Sequence, residues 1–177
     1  WKNRAPQTVL QRTVANHIPA FLVGCEFDIF QHGEPINYAE LQNLWAHRGA
    51  TEPMRPGQRV TGRYQLIDGP WEHLNGSAVN LDYLELEWFD TWLKGEHTGM
   101  AHTPTPLHYY DLGTGRFDET TTYPFSHTRP TRFYLAPGQA LRTKPAGSGH
   151  TTLAWLPAGS PCGRPIDQWS MGGVSIP

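Results

Sequence analysis

The chain has 177 residues, of which 38% are apolar and 12% aromatic, with seven Trp and a formal net charge of −2 at pH 7. This composition suits a globular chain with aromatic-rich packing rather than a disordered one, and the length allows one domain or two small ones. No run of Lys or Arg forms a nucleic-acid footprint, and no apolar stretch approaches the roughly 18 residues needed to span a membrane.

The chain starts at Trp1 without a visible signal peptide, so a processed or internal start is expected. Cys25 and Cys162 do not make a disulfide framework, and the compartment is left open.

Residues 1–100 alternate apolar runs with helical patterns. Ile18 to Gly24 is a continuous apolar run, which predicts a strand buried on both faces of a parallel sheet. Pro19 falls at its start, where a missing ladder donor is tolerated. Glu34 to His47 reads as a helix with Tyr38, Leu41, Leu44 and Trp45 on one face and Gly49 just past its end. A polar loop over 49–59 follows, then a second strand over Arg63 to Ile67 that is weaker in apolar content. Asn80 is placed to cap a second helix running to Lys94, with the stripe Leu81, Leu84, Trp88 and Trp92 and the stop Gly95. Strand, helix, strand, helix in that order predicts parallel strands joined by a right-handed crossover.

From Thr103 the chain is rich in Thr, Pro, Gly and Tyr and carries no convincing helix. Short strands are expected at Leu107–Leu112, Thr131–Leu135 and Thr151–Leu156, each bounded by Gly or Pro. Residues 103–177 therefore read as part of a β-sandwich, and the tail from Ser160 to Pro177 as loop.

Two phrases carry chemistry. The run Ile18 to Gly24 ends in a turn that delivers Asp28, and the second strand runs into Gly69-Pro70-Trp71-Glu72-His73. A histidine acts as a general base only when its tautomer and ring orientation are held. A carboxylate accepting the Nδ1–H does both and stabilises the imidazolium. Asp28 and His73 suit the acid and base of a catalytic triad, presented at the carboxyl ends of neighbouring parallel strands. Alone, such an Asp is often a turn former, and such a His is often structural.

Other titratable groups point to duller roles. The histidines apart from His73 show no metal-ligand spacing on one element, so no metal site is expected. Glu85, Glu87 and Asp90 read as a solvated helix face rather than a glycosidase pair. The Trp and Tyr residues read as packing rather than a sugar platform. No phosphate-binding glycine loop is present.

The nucleophile is missing. Ser77, Ser126, Ser148, Ser160, Ser170 and Ser175 all follow Asp28 and His73, and none sits in a Gly-x-Ser-x-Gly turn. Cys25 lies three positions before Asp28 at the end of the same strand and is badly placed to be the nucleophile. Two parallel strands and two helices would also leave an open sheet edge and an uncovered apolar face. A serine on sequence upstream of Trp1 is therefore expected.

On these residues the chain resembles the CocE/NonD hydrolases, the family that groups cocaine esterase, α-amino-acid ester hydrolases and X-Pro dipeptidyl-peptidases. The acid phrase is matched by Pro19, Gly24, Asp28 and Phe30, and the base phrase by Gly69, Pro70, Trp71 and His73. A third phrase is matched by Trp88-Phe89-Asp90-Thr91-Trp92-Leu93-Lys94-Gly95. The resemblance implies the carboxyl-terminal part of an α/β-hydrolase sheet over 1–100, followed by the start of a jelly-roll β-sandwich over 103–177. It implies a serine hydrolase cleaving an ester or amide through an acyl-enzyme, with Asp28 and His73 catalytic and no cofactor. The expected partners are a small ester or peptide substrate and an amino-terminal portion bearing the serine, with neither nucleic acid nor membrane. The chain departs from the family at Cys25-Glu26-Phe27, where Gly-Trp-Tyr is usual, and at Leu74, where Gly is usual. Glu26 would place a carboxylate at the pocket rim. The competing expectation is a non-catalytic binding module whose hydrolase remnant is scaffold.

Overall fold

A computed structural model describes residues 4–28, 30–71, 79–145 and 147–152. The chain divides into two compact units, one ending at Ser126 and the next beginning at His127.

The first unit opens with a short helix, α1 (Leu10–Ala15), and the strand β1 (Ala20–Cys25). The helix α2 (Gly33–Trp45) follows, then the strand β2 (Tyr64–Gly69) and the helix α3 (Leu81–Phe89). The strands β3 (Leu107–Asp111) and β4 (Arg116–Thr120) complete it. The sheet order is β1-β2-β3-β4, with β1, β2 and β3 parallel and β4 returning antiparallel to β3. This is a mixed α/β unit with a mostly parallel sheet.

Alternation along the strands assigns the layers. Leu22, Leu66 and Leu107 share one face through the pairs Leu22↔Leu66 and Leu66↔Leu107. That face packs against Tyr38 of α2 and against Met54. Leu10 of α1 and Leu41 of α2 extend the same layer over Tyr64. On the opposite face, Phe21 stacks on Trp88 of α3 with ring centroids 5.5 Å apart. The sheet thus lies between α2 and α3.

The cap expected at Asn80 and the stop expected at Gly95 are both used. The Asn80 side chain accepts a bond of 3.1 Å from the Tyr83 N–H. Beyond Phe89 the helix widens over Asp90–Lys94 and stops at Gly95, whose φ of 76° is the left-handed conformation a glycine adopts without strain. The Thr91 hydroxyl bonds back to the Glu87 carbonyl at 2.7 Å, a contact known to loosen the regular helical ladder.

Three features differ from the sequence reading. The run Ala20–Cys25 is only half-buried, because β1 stands at the end of the strand order with a neighbour on one side. The less apolar β2 is the central, buried strand. It tolerates Gln65 there because the side-chain amide donates to the carbonyls of Gly62 at 2.7 Å and Met100 at 2.6 Å. Leu107–Asp111, grouped by composition with the second half, instead extends the parallel sheet beside β2. Pro106 lacks an N–H, but its carbonyl accepts from Leu66 at 2.9 Å, so the proline still joins the ladder.

The loop between α2 and β2 is held by buried polar side chains. Gln42 donates to the carbonyls of Thr61 and Tyr64, at 2.9 and 2.7 Å, and accepts from the Thr61 N–H at 2.9 Å. Asn43 donates to the carbonyls of Ala50 and Glu52 at 3.1 and 2.6 Å. Both side chains are fully buried.

In the second unit, β5 (Tyr134–Ala136) pairs antiparallel with β6 (Ala140–Arg142). Gly138 and Gln139 turn the hairpin with φ of 76° and 59°. The strand expected at Thr151–Leu156 falls mostly outside the described residues, and Thr151 and Thr152 are not in a strand.

Candidate functional site at the carboxyl edge of the sheet

Because β1 and β2 are parallel neighbours, the segments that follow them leave the sheet at the same edge. Their register closes at Cys25↔Gly69. The contact continues beyond the strands: the Glu26 N–H donates to the Gly69 carbonyl at 2.9 Å, and the Phe27 N–H to the Trp71 carbonyl at 3.3 Å. The backbone approaching Asp28 therefore runs beside the backbone approaching position 73.

Asp28 is 6% exposed. Its N–H donates to the Cys25 carbonyl at 3.1 Å, and its Oδ1 accepts from the Phe30 N–H at 3.0 Å. The second bond is a turn-forming one that also fixes the carboxylate's direction. His73, the expected base, lies outside the described residues, as does Leu74. Trp71, two positions earlier, is buried, and its ring lies on the backbone of Gly69.

A cleft of about 380 Å³ opens at the same edge, lined by Glu26, Asp68, Tyr109, Tyr110, Asp111 and Phe125 among others. Open α/β sheets bind ligands at the carboxyl ends of their strands. The Tyr109 and Phe125 rings stack at 4.1 Å and form one wall. Asp68 occupies space left by Gly24 on β1, where a Cβ would stand 2.6 Å from its Oδ1. Glu26 Oε2 and Asp68 Oδ1 are both buried, with no hydrogen-bond partner among the described residues.

The environment is acidic and partly desolvated, and proton affinities rise accordingly. Burial, with the charges of Asp68 and Asp111, pushes the Glu26 carboxyl up to about 7. Burial and the charge of Glu34 push Asp68 up to about 6, against a hydrogen bond from the Gly69 backbone. Burial, then the charge of Asp28, pushes the Cys25 thiol up to about 11. At neutral pH Cys25 is a protonated thiol and a poor nucleophile.

Elsewhere, Glu85 is exposed, Glu87 accepts from the Tyr83 hydroxyl at 2.8 Å, and Asp90 pairs with Lys94 at 2.6 Å. Trp92 packs under Arg63 and Trp45 under Arg59. Among the described residues no group of three His, Cys, Asp or Glu could hold a metal ion, and no helix is long and apolar enough to cross a membrane. Sequence reading missed Asp68, Tyr109 and Asp111 as cleft residues. One signal was available: a carboxylate one position before Gly69-Pro70, inside an apolar strand phrase.

No protein-family model matches the chain, and no curated protein is similar enough to match it.

Proposed function

We propose that the chain is the carboxyl-terminal part of a serine hydrolase similar to the CocE/NonD enzymes, supplying the acid and base of a Ser-His-Asp triad. The observation that carries this reading is the parallel pairing of β1 with β2, continued by the Glu26–Gly69 and Phe27–Trp71 backbone bonds. That pairing supports the convergence of Asp28 and His73 from phrases 45 positions apart, 73 − 28 = 45. The buried, turn-held Asp28 suits a carboxylate whose role is to orient rather than to exchange protons with water.

In this reading a serine on an amino-terminal portion attacks the carbonyl of an ester or amide. His73 takes the serine proton and returns it to the leaving group, forming an acyl-enzyme that water then cleaves. Asp28 holds the imidazole in the required tautomer. The first unit would be the end of the α/β-hydrolase sheet, and the hairpin of the second unit the start of a jelly roll.

The test uses the complete hydrolase, joined to its upstream coding sequence. That sequence should contain Gly-x-Ser-x-x-Gly, and a fluorophosphonate probe should label that serine and none in residues 1–177. Asp28→Asn should lower kcat on an activated ester by about 10⁴, with the fold retained. His73→Ala should abolish turnover. Normal turnover by either variant, or a label on Ser126 or Ser148, would sink the assignment.

A further inference from the structure

Glu26 and Asp68 meet where β1 and β2 end. Gly24 is the register partner of Asp68 and has no side chain, so the Asp68 carboxyl lies against the β1 backbone. Glu26 follows two positions later, and its own N–H is bonded to Gly69, the residue after Asp68. Both carboxyls line one cleft, and each has an oxygen that is buried and unpartnered among the described residues.

Among the described residues the charged groups acting on the pair are acidic. Asp111 of β3 faces Glu26, and Glu34 of α2 faces Asp68. The adjacent Cys25 also feels Asp28, Glu34 and Asp68. Among the described residues no Lys or Arg is among the groups acting on either carboxyl. Tyr109 and Tyr110 also line the cleft.

Two like charges in a partly desolvated cleft repel, and a proton bound to one of them removes the repulsion. The element free to respond is the turn after β1. Beyond the ladder it is tied to β2 through the Glu26–Gly69 and Phe27–Trp71 bonds. Gly24 and Cys25, in contrast, sit inside paired register.

We propose that Glu26 and Asp68 form a proton-dependent latch on the turn that carries Asp28, closed against β2 while the pair retains a proton and loosened when both carboxyls are ionised. The sign follows from linkage. Each carboxyl binds its proton more tightly folded than unfolded, so the folded turn is favoured at acid pH. That advantage is lost as pH rises from the ordinary carboxylate range to about 7, the upper limit set by Glu26. The proton leaves to solvent, and no other reactant is needed.

Amide hydrogen exchange on the 177-residue chain tests this directly, with protection corrected for the intrinsic rate at each pH. Protection of the Glu26 and Phe27 amides should fall at least roughly tenfold between pH 5 and pH 8, the factor that one pKa unit of difference between closed and open turn is worth. The Leu66 amide in the centre of β2 should change little. Glu26→Gln should keep the pH 5 protection at pH 8. Asp68→Asn should do the same, and it replaces Glu26→Gln if that variant does not fold. Equal wild-type protection at both pH values, or the same pH-dependent loss in both variants, would overturn the proposal. Neither outcome depends on the hydrolase reading, because no activity is measured.

Discussion

Gly69→Ala isolates the packing of Trp71 against the end of β2. A Cβ at position 69 would stand 2.1 Å from the Trp71 ring, far inside van der Waals contact. Trp71 is 3% exposed and packs near Phe117, with centroids 6.1 Å apart, so the ring has little room to retreat. Gly69 is also bonded through its carbonyl to the Glu26 N–H, which limits how far the backbone can yield. Overpacking of this kind costs about 1–3 kcal/mol, or a loss of roughly 3–9 °C in Tm for a chain of this length. Thermal unfolding followed by near-ultraviolet circular dichroism measures both the loss and the disturbed Trp environment. Gly33→Ala is the matched control: a Cβ there meets nothing within 4 Å, and the position opens α2. It should be neutral or slightly stabilising, since alanine is the better helix former by about 1 kcal/mol. On the proposed hydrolase reading, Gly69→Ala should also lower kcat of the full enzyme by about 10², because catalytic groups tolerate little misplacement. An unchanged Tm and near-ultraviolet spectrum would refute the argument, since no other feature of position 69 predicts a loss.

Two further outcomes are expected. Gln42→Leu removes three hydrogen bonds from a fully buried site while nearly preserving volume. At about 1 kcal/mol for each bond, urea unfolding should show a loss of about 3 kcal/mol, and a loss under about 1 would mean the network is not stabilising. With Cys162→Ala in place, Cys25 should react with iodoacetamide at pH 8 at least tenfold more slowly than free cysteine, because burial and Asp28 hold its thiol up at about 11. Labelling at the free-cysteine rate would show that the thiol is neither buried nor facing negative charge.

The elements legible in the sequence were those whose cause is local. Trp88 and Trp92 of the helical stripe, its Asn80 cap and its Gly95 stop depend on neighbours along the chain, and the structure uses each of them. The turn at Asp28 was legible for the same reason, because its hydrogen bonds to Cys25, Phe30 and Gln31 all lie within three positions. Gln42 and Asn43 were not legible, because a polar residue on a helix reads as exposed until a loop folds over it. Asp68 was hidden similarly: nothing local announces that Gly24 opposite leaves space for a carboxylate.

The strand order was decided by partners rather than by patterns. Hydrophobicity ranked the run at 18–24 as the most buried strand, yet β1 stands at the end of the sheet and β2 at its centre. Composition separated Leu107–Asp111 from the parallel strands, and pairing with Leu66, Ile67 and Asp68 rejoined it. The sequence by itself indicated β1, α2, β2 and α3 and placed Asp28 just after a strand, because those properties depend on neighbours along the chain. Only the tertiary structure decided that β3 joins β2, which polar groups are buried, and that Glu26, Asp68 and Asp111 line one cleft. Those depend on contacts between residues far apart in sequence, and a linear pattern carries no record of such distances.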